Sequence, residues 1–173
     1  MDDIRAKLLN ILRESQKCTL CRNVKGPPVC FKGSLKPKYL FIGESPGESE
    51  ITLHEPFVGP AGKLLQEMIK DAGLHKVAYT NVVWCLPIKK SDLSIKDAKK
   101  CTWWKKLLKL FPNSKIIAVG TYAKEVLDHF DIKYATWVYH PSHILRSEGI
   151  RKDQLWKINV ARLKMIGFGK DQK

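Results

Sequence analysis

The sequence predicts an α/β fold of three layers, α/β/α, around a central, mainly parallel sheet of four strands. Three observations lead there. Four short apolar runs, Tyr39–Ile42, Val77–Val83, Ile116–Val119 and Ala135–Tyr139, alternate with helical patterns, the arrangement from which parallel sheets covered on both faces are built. Chemically distinctive groups follow the strands: GESPG after the first, Asn81 to Cys85 at the second, HPS after the fourth. Ligands of such sheets bind beyond the carboxyl ends of the strands. Finally, 173 residues with 44 % apolar content suit one core, so 1–173 is expected to be a single domain.

The first helix is expected to start after Asp2 or Asp3, with Ile4, Leu8, Ile11 and Leu12 on one stripe. It ends before CTLC, and the GPP at 26–28 keeps the next stretch irregular. A second helix runs from near Pro60 to Gly73 and buries Leu64, Leu65, Met68 and Ile69. Another starts at Ser94, with Asp97 as its capping partner, and reaches about Leu110. Two more span roughly Thr121 to His129 and Asp153 to Ile166, the last amphipathic and basic. No repeat, low-complexity tract or dividing linker interrupts this order.

Lysine and arginine number 31 against 17 acidic residues, a net charge of +14. Such an imbalance favours a polyanionic partner, nucleic acid ahead of an anionic membrane. No apolar run approaches the roughly 18–20 residues of a membrane span. The start, MDDIRAKLLNILRES, lacks the apolar block and cleavage site of a signal peptide. A cytoplasmic, reducing location is therefore expected, with the five cysteines as thiols or metal ligands rather than disulfides.

Cys18 and Cys21 form a CxxC at the end of the first helix; Cys85 closes the second strand, and Cys101 follows sixteen positions later. Two neighbouring and two distant thiolates can build an all-sulfur site, and the spacing does not choose an iron–sulfur cluster over zinc. The alternative is that Cys85 and Cys101 are buried apolar thiols, with metal binding the favoured reading. Cys30 is a spare thiol or an alternative ligand.

Read in order, CTLC, GESPGESE, EPFVGPAGKLL, TNVVWC, Cys101 and YHPSHILR resemble the family-four uracil-DNA glycosylases, which carry a four-iron four-sulfur cluster. The resemblance covers roughly residues 18–146. It implies a 4Fe-4S cofactor on Cys18, Cys21, Cys85 and Cys101, and a monomer that excises uracil from single- and double-stranded DNA.

It also implies roles. Phe57 is the stacking platform for the flipped base, where the motif alone reads as an ordinary core aromatic. Asn81 reads the uracil edge, donating to O4 and accepting from N3–H, provided its amide is held one way round. His140 places a hydrogen bond on uracil O2 as the base departs, and Glu44 orients water and offsets positive charge on the sugar. Groups around Ser45 help hold that water, and Glu50 lies near pyrimidine C5, where it excludes a methyl group. Gly59 and Gly62 allow close approach of phosphate. Ser142–Arg146 matches the DNA-intercalating loop, with Leu145 or Arg146 as the wedge.

The chain departs from the family at Ser45 and His54, at Leu86-Pro87-Ile88 in place of Arg-Pro-Pro, and through the lysine-rich segment 86–100. Its lysines can track phosphates or form a solvated face. Two alternatives accompany the main reading: a glycosylase for another modified pyrimidine, and a catalytically weak DNA-binding relative serving as a replication module.

Overall fold

The computed structural model describes residues 2–21 and 23–168. Its sheet grows from runs that are apolar on both faces. Strands β2 (Tyr39–Gly43), β3 (Val77–Asn81), β4 (Lys115–Val119) and β5 (Thr136–Val138) are parallel where they pair. A two-residue strand β1 (Lys32–Gly33) pairs antiparallel with β3, giving the order β1-β3-β2-β4-β5. The sheet thus has five strands where the sequence predicts four; β1 is too short to carry an apolar pattern.

Side chains alternate across the strands, as a period of two demands. Leu40, Ile42, Ala78 and Ala118 face one layer, formed by α1 (Asp2–Gln16), α4 (Ile95–Lys100), α5 (Trp103–Leu108) and α6 (Thr121–His129). Tyr39, Phe41, Tyr79, Ile117 and Val119 face the other, formed by α3 (Pro60–Asp71), α7 (Pro141–Leu145) and α8 (Gly149–Gly167). A short α2 (Glu48–Leu53) precedes α3 and buries none of its residues. Each fully buried large side chain, Trp84, Trp104 and Phe41 among them, contributes roughly 1.5–3 kcal/mol.

Three helix expectations change. The pattern over 94–110 is two helices, because Cys101 leaves helical geometry at ψ 79° and turns its sulfur to within 3.4 Å of the Trp84 N–H. The halves stay joined where Trp104 Nε1 donates to the Ala98 carbonyl at 3.0 Å. The last helix begins at Gly149 rather than Asp153. The segment predicted as a loop after His140 is the short helix α7, started by Pro141 in its first turn, where proline's missing N–H costs nothing. The Ser94–Asp97 cap forms as predicted, with Asp97 accepting from the Ser94 N–H at 2.8 Å.

Since β2 lies between β3 and β4, the crossover from β2 to β3 and the next, from β3 past β2 to β4, run in opposite directions across the sheet. The carboxyl ends of all four parallel strands open onto one edge, with Gly43 beside Asn81 in register. Among the described residues no helix is long and apolar enough to cross a membrane.

Candidate functional site

At that edge lies a cleft of about 330 Å³, lined among others by Ser45, Glu50, Phe57, Asn81, His140 and Arg146. A second cavity of about 560 Å³ adjoins it through His140, Ser142, Arg146 and Lys90, and holds Glu44. Of the predicted base-facing residues, all but Glu44 meet in the first cleft, and His140 belongs to both.

Backbone geometry fixes the cleft's shape. Phe57 is buried with φ 56°, a left-handed conformation that costs a non-glycine residue of order 1–3 kcal/mol. Gly62 makes it possible, since a Cβ there would stand 2.0 Å from the Phe57 carbonyl oxygen. Gln66, one turn along α3, donates to that same oxygen at 3.0 Å. The ring packs on Tyr79 with centroids 5.6 Å apart. Gly62 therefore faces the Phe57 backbone at this point.

Glu50 has three backbone partners. Its carboxylate accepts from Gly47 N at 3.0 Å, Val58 N at 3.1 Å and Gly59 N at 2.8 Å. The loops entering α2 and α3 are thereby tied together, and Gly59 is held at the start of α3.

Gly43 is a determinant that the sequence reading passed over. A Cβ on it would lie 2.5 Å from Asn81 Oδ1 and 2.6 Å from the Phe57 ring, so only glycine lets both side chains close over the strand end. Its carbonyl and that of Glu44 accept from Val82 N and Val83 N, each at 3.0 Å, which locks the Glu44 backbone to β3. Burial raises the Glu44 carboxyl above the usual range, and Lys90 opposes that rise. Ser45 is buried, and its Oγ has no hydrogen-bond partner.

His140 caps α7. Its Nδ1 accepts from the Ser142 N–H at 3.2 Å and lies 2.7 Å from Ser142 Oγ. A nitrogen that accepts from a backbone N–H carries no proton, so the neutral ring is protonated at Nε2. Burial first, then Lys90 and Arg146, push its pKa down to about 4 against an opposing pull from Glu50. The imidazole is thus a neutral Nε2–H donor at physiological pH.

Asn159 of α8, also absent from the sequence reading, fixes the strand end that carries this histidine. Fully buried, it accepts from Tyr139 N and donates to Tyr139 O, both at 2.9 Å. Its one sequence signal is a polar residue on the stripe Leu155, Asn159, Leu163. Leu145 is 41 % exposed at the end of α7, beside Arg146.

Cys18 and Cys21 follow α1, and Cys85 follows β3. The loop after the CxxC runs beside the chain after Trp84, with Lys25 N bonded to Leu86 O at 2.8 Å, Val29 N to Trp84 O at 2.7 Å and Ile88 N to Asn23 O at 3.1 Å. Cys21 and Cys85 line a cavity of about 650 Å³. The charges of Cys18 and Cys101 both act on Cys85, and that of Cys18 acts on Cys21. Burial pushes the thiols of Cys85 and Cys101 up to about 12, a cost that a bound cationic centre removes. Among the described residues no group of three or more His, Cys, Asp or Glu side chains is placed to hold a metal ion. Cys21 and Cys85 on the cavity wall, with Cys18 and Cys101 in the same region of the fold, are soft donors of the kind that bind iron–sulfur clusters or zinc. Cys30 also acts on Cys85 through its charge, but its sulfur is engaged elsewhere, 3.2 Å from Ser15 Oγ and 3.7 Å from Gln16 Nε2.

Residues 31–163 match the model of the uracil DNA glycosylase superfamily. A type-4 uracil-DNA glycosylase of Archaeoglobus fulgidus is 31 % identical, with 83 % of this chain and 86 % of that protein covered. Proteins of the same description from Thermotoga maritima and Saccharolobus solfataricus are 28 % and 31 % identical. The first alignment covers 89 % of this chain and 90 % of the relative, the second 82 % and 77 %.

Proposed function

The chain belongs to the uracil-DNA glycosylase superfamily and, within it, to the type-4 enzymes, and from that premise we propose that it hydrolyses the bond joining uracil to deoxyribose in DNA, leaving an abasic site for base-excision repair. One observation carries the reading at this chain's own residues. A neutral histidine with Nδ1 occupied and Nε2–H free shares a cleft with a buried aromatic ring and a strand-end asparagine.

In this mechanism the base leaves the helical stack of single- or double-stranded DNA and lies against Phe57, at a flipping cost of a few kcal/mol. Asn81 pairs with its O4 and N3–H edge. As the bond from N1 to the sugar carbon breaks, its electron pair moves onto the base, and His140 Nε2–H donates to O2, where the negative charge gathers. Positive charge on the sugar is offset by ionised Glu44, which orients a water with the help of Ser45. The water oxygen bonds to the sugar carbon, and the released proton ends on the departing base. Glu50, through its clamp on 47 and 58–59, walls the C5 side. Gly59 keeps the start of α3 open to phosphate while Gly62 makes room for the Phe57 backbone, Ser142 holds both His140 and the DNA backbone, and Leu145 or Arg146 fills the emptied stack.

Cys18, Cys21, Cys85 and Cys101 would hold a four-iron four-sulfur cluster. When bound it supplies a cross-link between the end of α1, the end of β3 and the break between α4 and α5.

The test is an assay of the purified protein on U:G, U:A and single-stranded uracil oligonucleotides, with alkaline cleavage at abasic sites. Cleavage at uracil on all three is expected; intact strands would overturn the reading. The unpartnered hydroxyl of Ser45, buried in the cleft wall, favours one second reading, a glycosylase that accepts another modified pyrimidine. Faster release of such a base than of uracil, on a panel of modified oligonucleotides, would establish it.

A further inference from the structure

The lysines of segment 86–100 have no part in the mechanism above, and the structure separates them. Lys89 lines the cysteine cavity. Lys90, which opens a single 3-10 turn over Lys90–Asp92, extends the other way and lines both the base cleft and the cavity that holds Glu44. Its ammonium lies 3.5 Å from the carbonyl oxygen of Ser45, the residue between Glu44 and the loop that enters α2. This cation therefore stands where the two cavities meet, and His140 is shared by both.

We propose that Lys90 is a positioning residue for the Glu44–His140 pair, an ammonium anchored on the Ser45 carbonyl whose charge keeps the carboxylate ionised and the imidazole neutral. The proposal rests on the glycosylase reading, in which those two groups act in those two states. One positive charge serves both, because it stabilises a carboxylate and disfavours an imidazolium.

The surroundings leave this task open. Burial works against ionised Glu44, and Lys90 is the charge that opposes it. His140 faces Lys90 from the 3-10 turn, Arg146 from the end of α7 and Glu50 from α2, with Tyr139 and His143 also on its cavity. Tyr122 of α6 feels the Glu44 charge. Lys90 is exposed in the free protein, where water screens it. DNA seated over the cleft removes that water, and the same charge then acts at lower dielectric.

Two measurements on the full chain test this, using the wild type, Lys90→Met and Lys90→Arg. The first is the pH profile of single-turnover cleavage of a uracil oligonucleotide. Protonation of Glu44 removes the carboxylate and protonation of His140 at Nδ1 breaks the bond from the Ser142 N–H that orients the ring, and both occur on the acid side. Lys90→Met should therefore move the acid limb to higher pH, by about half a unit or more, while Lys90→Arg restores it. The second is an NMR titration of the His140 ring in the free protein, which needs no activity. Its midpoint, about 4 in the wild type, should rise in Lys90→Met and return in Lys90→Arg.

An acid limb and a ring midpoint that both ignore Lys90→Met would overturn the proposal. If affinity for DNA and its salt dependence fall instead, Lys90 is a phosphate contact; if nothing changes, it is a solvated side chain. A wild type that forms no abasic product defeats the glycosylase reading, and the ring titration still decides whether Lys90 sets the charge state of His140.

Discussion

Replacing His140 with alanine separates chemistry from stability in one variant, because the two effects have opposite signs. The Nε2–H donor is preorganised, since the ring is pinned through Nδ1 by Ser142 and its strand end by Asn159. Removing one such donor to a developing anion costs about 3–4 kcal/mol, a few hundredfold in rate. Stability should move the other way in acid. The ring's pKa falls from 6.5 in the free side chain to about 4 in the fold, so between those values the unfolded chain binds the extra proton. Wild-type stability is then full above about pH 6.5 and is lost progressively towards pH 4, by about 3 kcal/mol in total. His140→Ala lacks this term, so its stability deficit from lost packing should shrink, or reverse, across that window. Single-turnover cleavage at neutral pH and urea denaturation at pH 7, 5.5 and 4.5 measure the two quantities. Cleavage at the wild-type rate would refute the proposed donor. A pH dependence of stability that matches the wild type would refute the buried neutral ring.

Gly43→Ala should keep the fold but push Asn81 and Phe57 apart, at a cost of about 1–3 kcal/mol; uracil excision falls at least about tenfold in single-turnover assays, and a rate equal to wild type would count against the close packing. Asn159→Leu leaves the Tyr139 N–H and C=O without partners, so its urea midpoint should drop by the equivalent of about 2–4 kcal/mol, with a matching loss of excision from the displaced His140. Cys30→Ala should retain iron content and visible absorbance, whereas Cys101→Ala should lose both along with much of its stability; the opposite pattern would reassign the ligands.

The fold was legible where one period governs a whole element. Leu40 to Ile42 and Ile116 to Val119 are apolar runs of strand length, and the stripe Leu64, Leu65, Met68, Ile69 has helical spacing. Glu44, Asn81 and His140 were legible because each stands at or just after a strand end, and parallel strands bring their ends to one edge; Phe57 and Glu50 were named only by the resemblance. What escaped lacks any such period. ESEITL folds as α2 although it buries nothing, because its stability comes from Glu50 reaching back to Gly47 N and across to Val58 and Gly59. The break at Cys101 lies inside an unbroken helical pattern and is set by a sulfur contact to a distant strand end. Gly43 and Asn159 act through pairs 38 and 20 positions apart in the chain, distances over which a linear pattern has no memory.

These long-range pairs share a logic that bears on how the site tolerates its departures from the family. The groups that set shape are satisfied by backbone amides and carbonyls: Glu50 by three N–H groups, His140 Nδ1 by Ser142, Asn159 by both polar groups of Tyr139. Such bonds depend on the fold and not on which side chains stand nearby. The strain in Phe57 is likewise held by backbone contact with Gly62 and the amide of Gln66. Ser45 and Lys90 are unlike these, one with a buried hydroxyl lacking a partner and the other reaching a carbonyl from an exposed turn. Neither side chain bonds to Phe57, Asn81 or His140, so the hydrogen bonds that hold those three do not depend on them. Variation at these two positions therefore acts on electrostatics and hydrogen bonding inside a cleft of fixed shape, which is how one scaffold adjusts its chemistry while keeping its recognition of a flat pyrimidine.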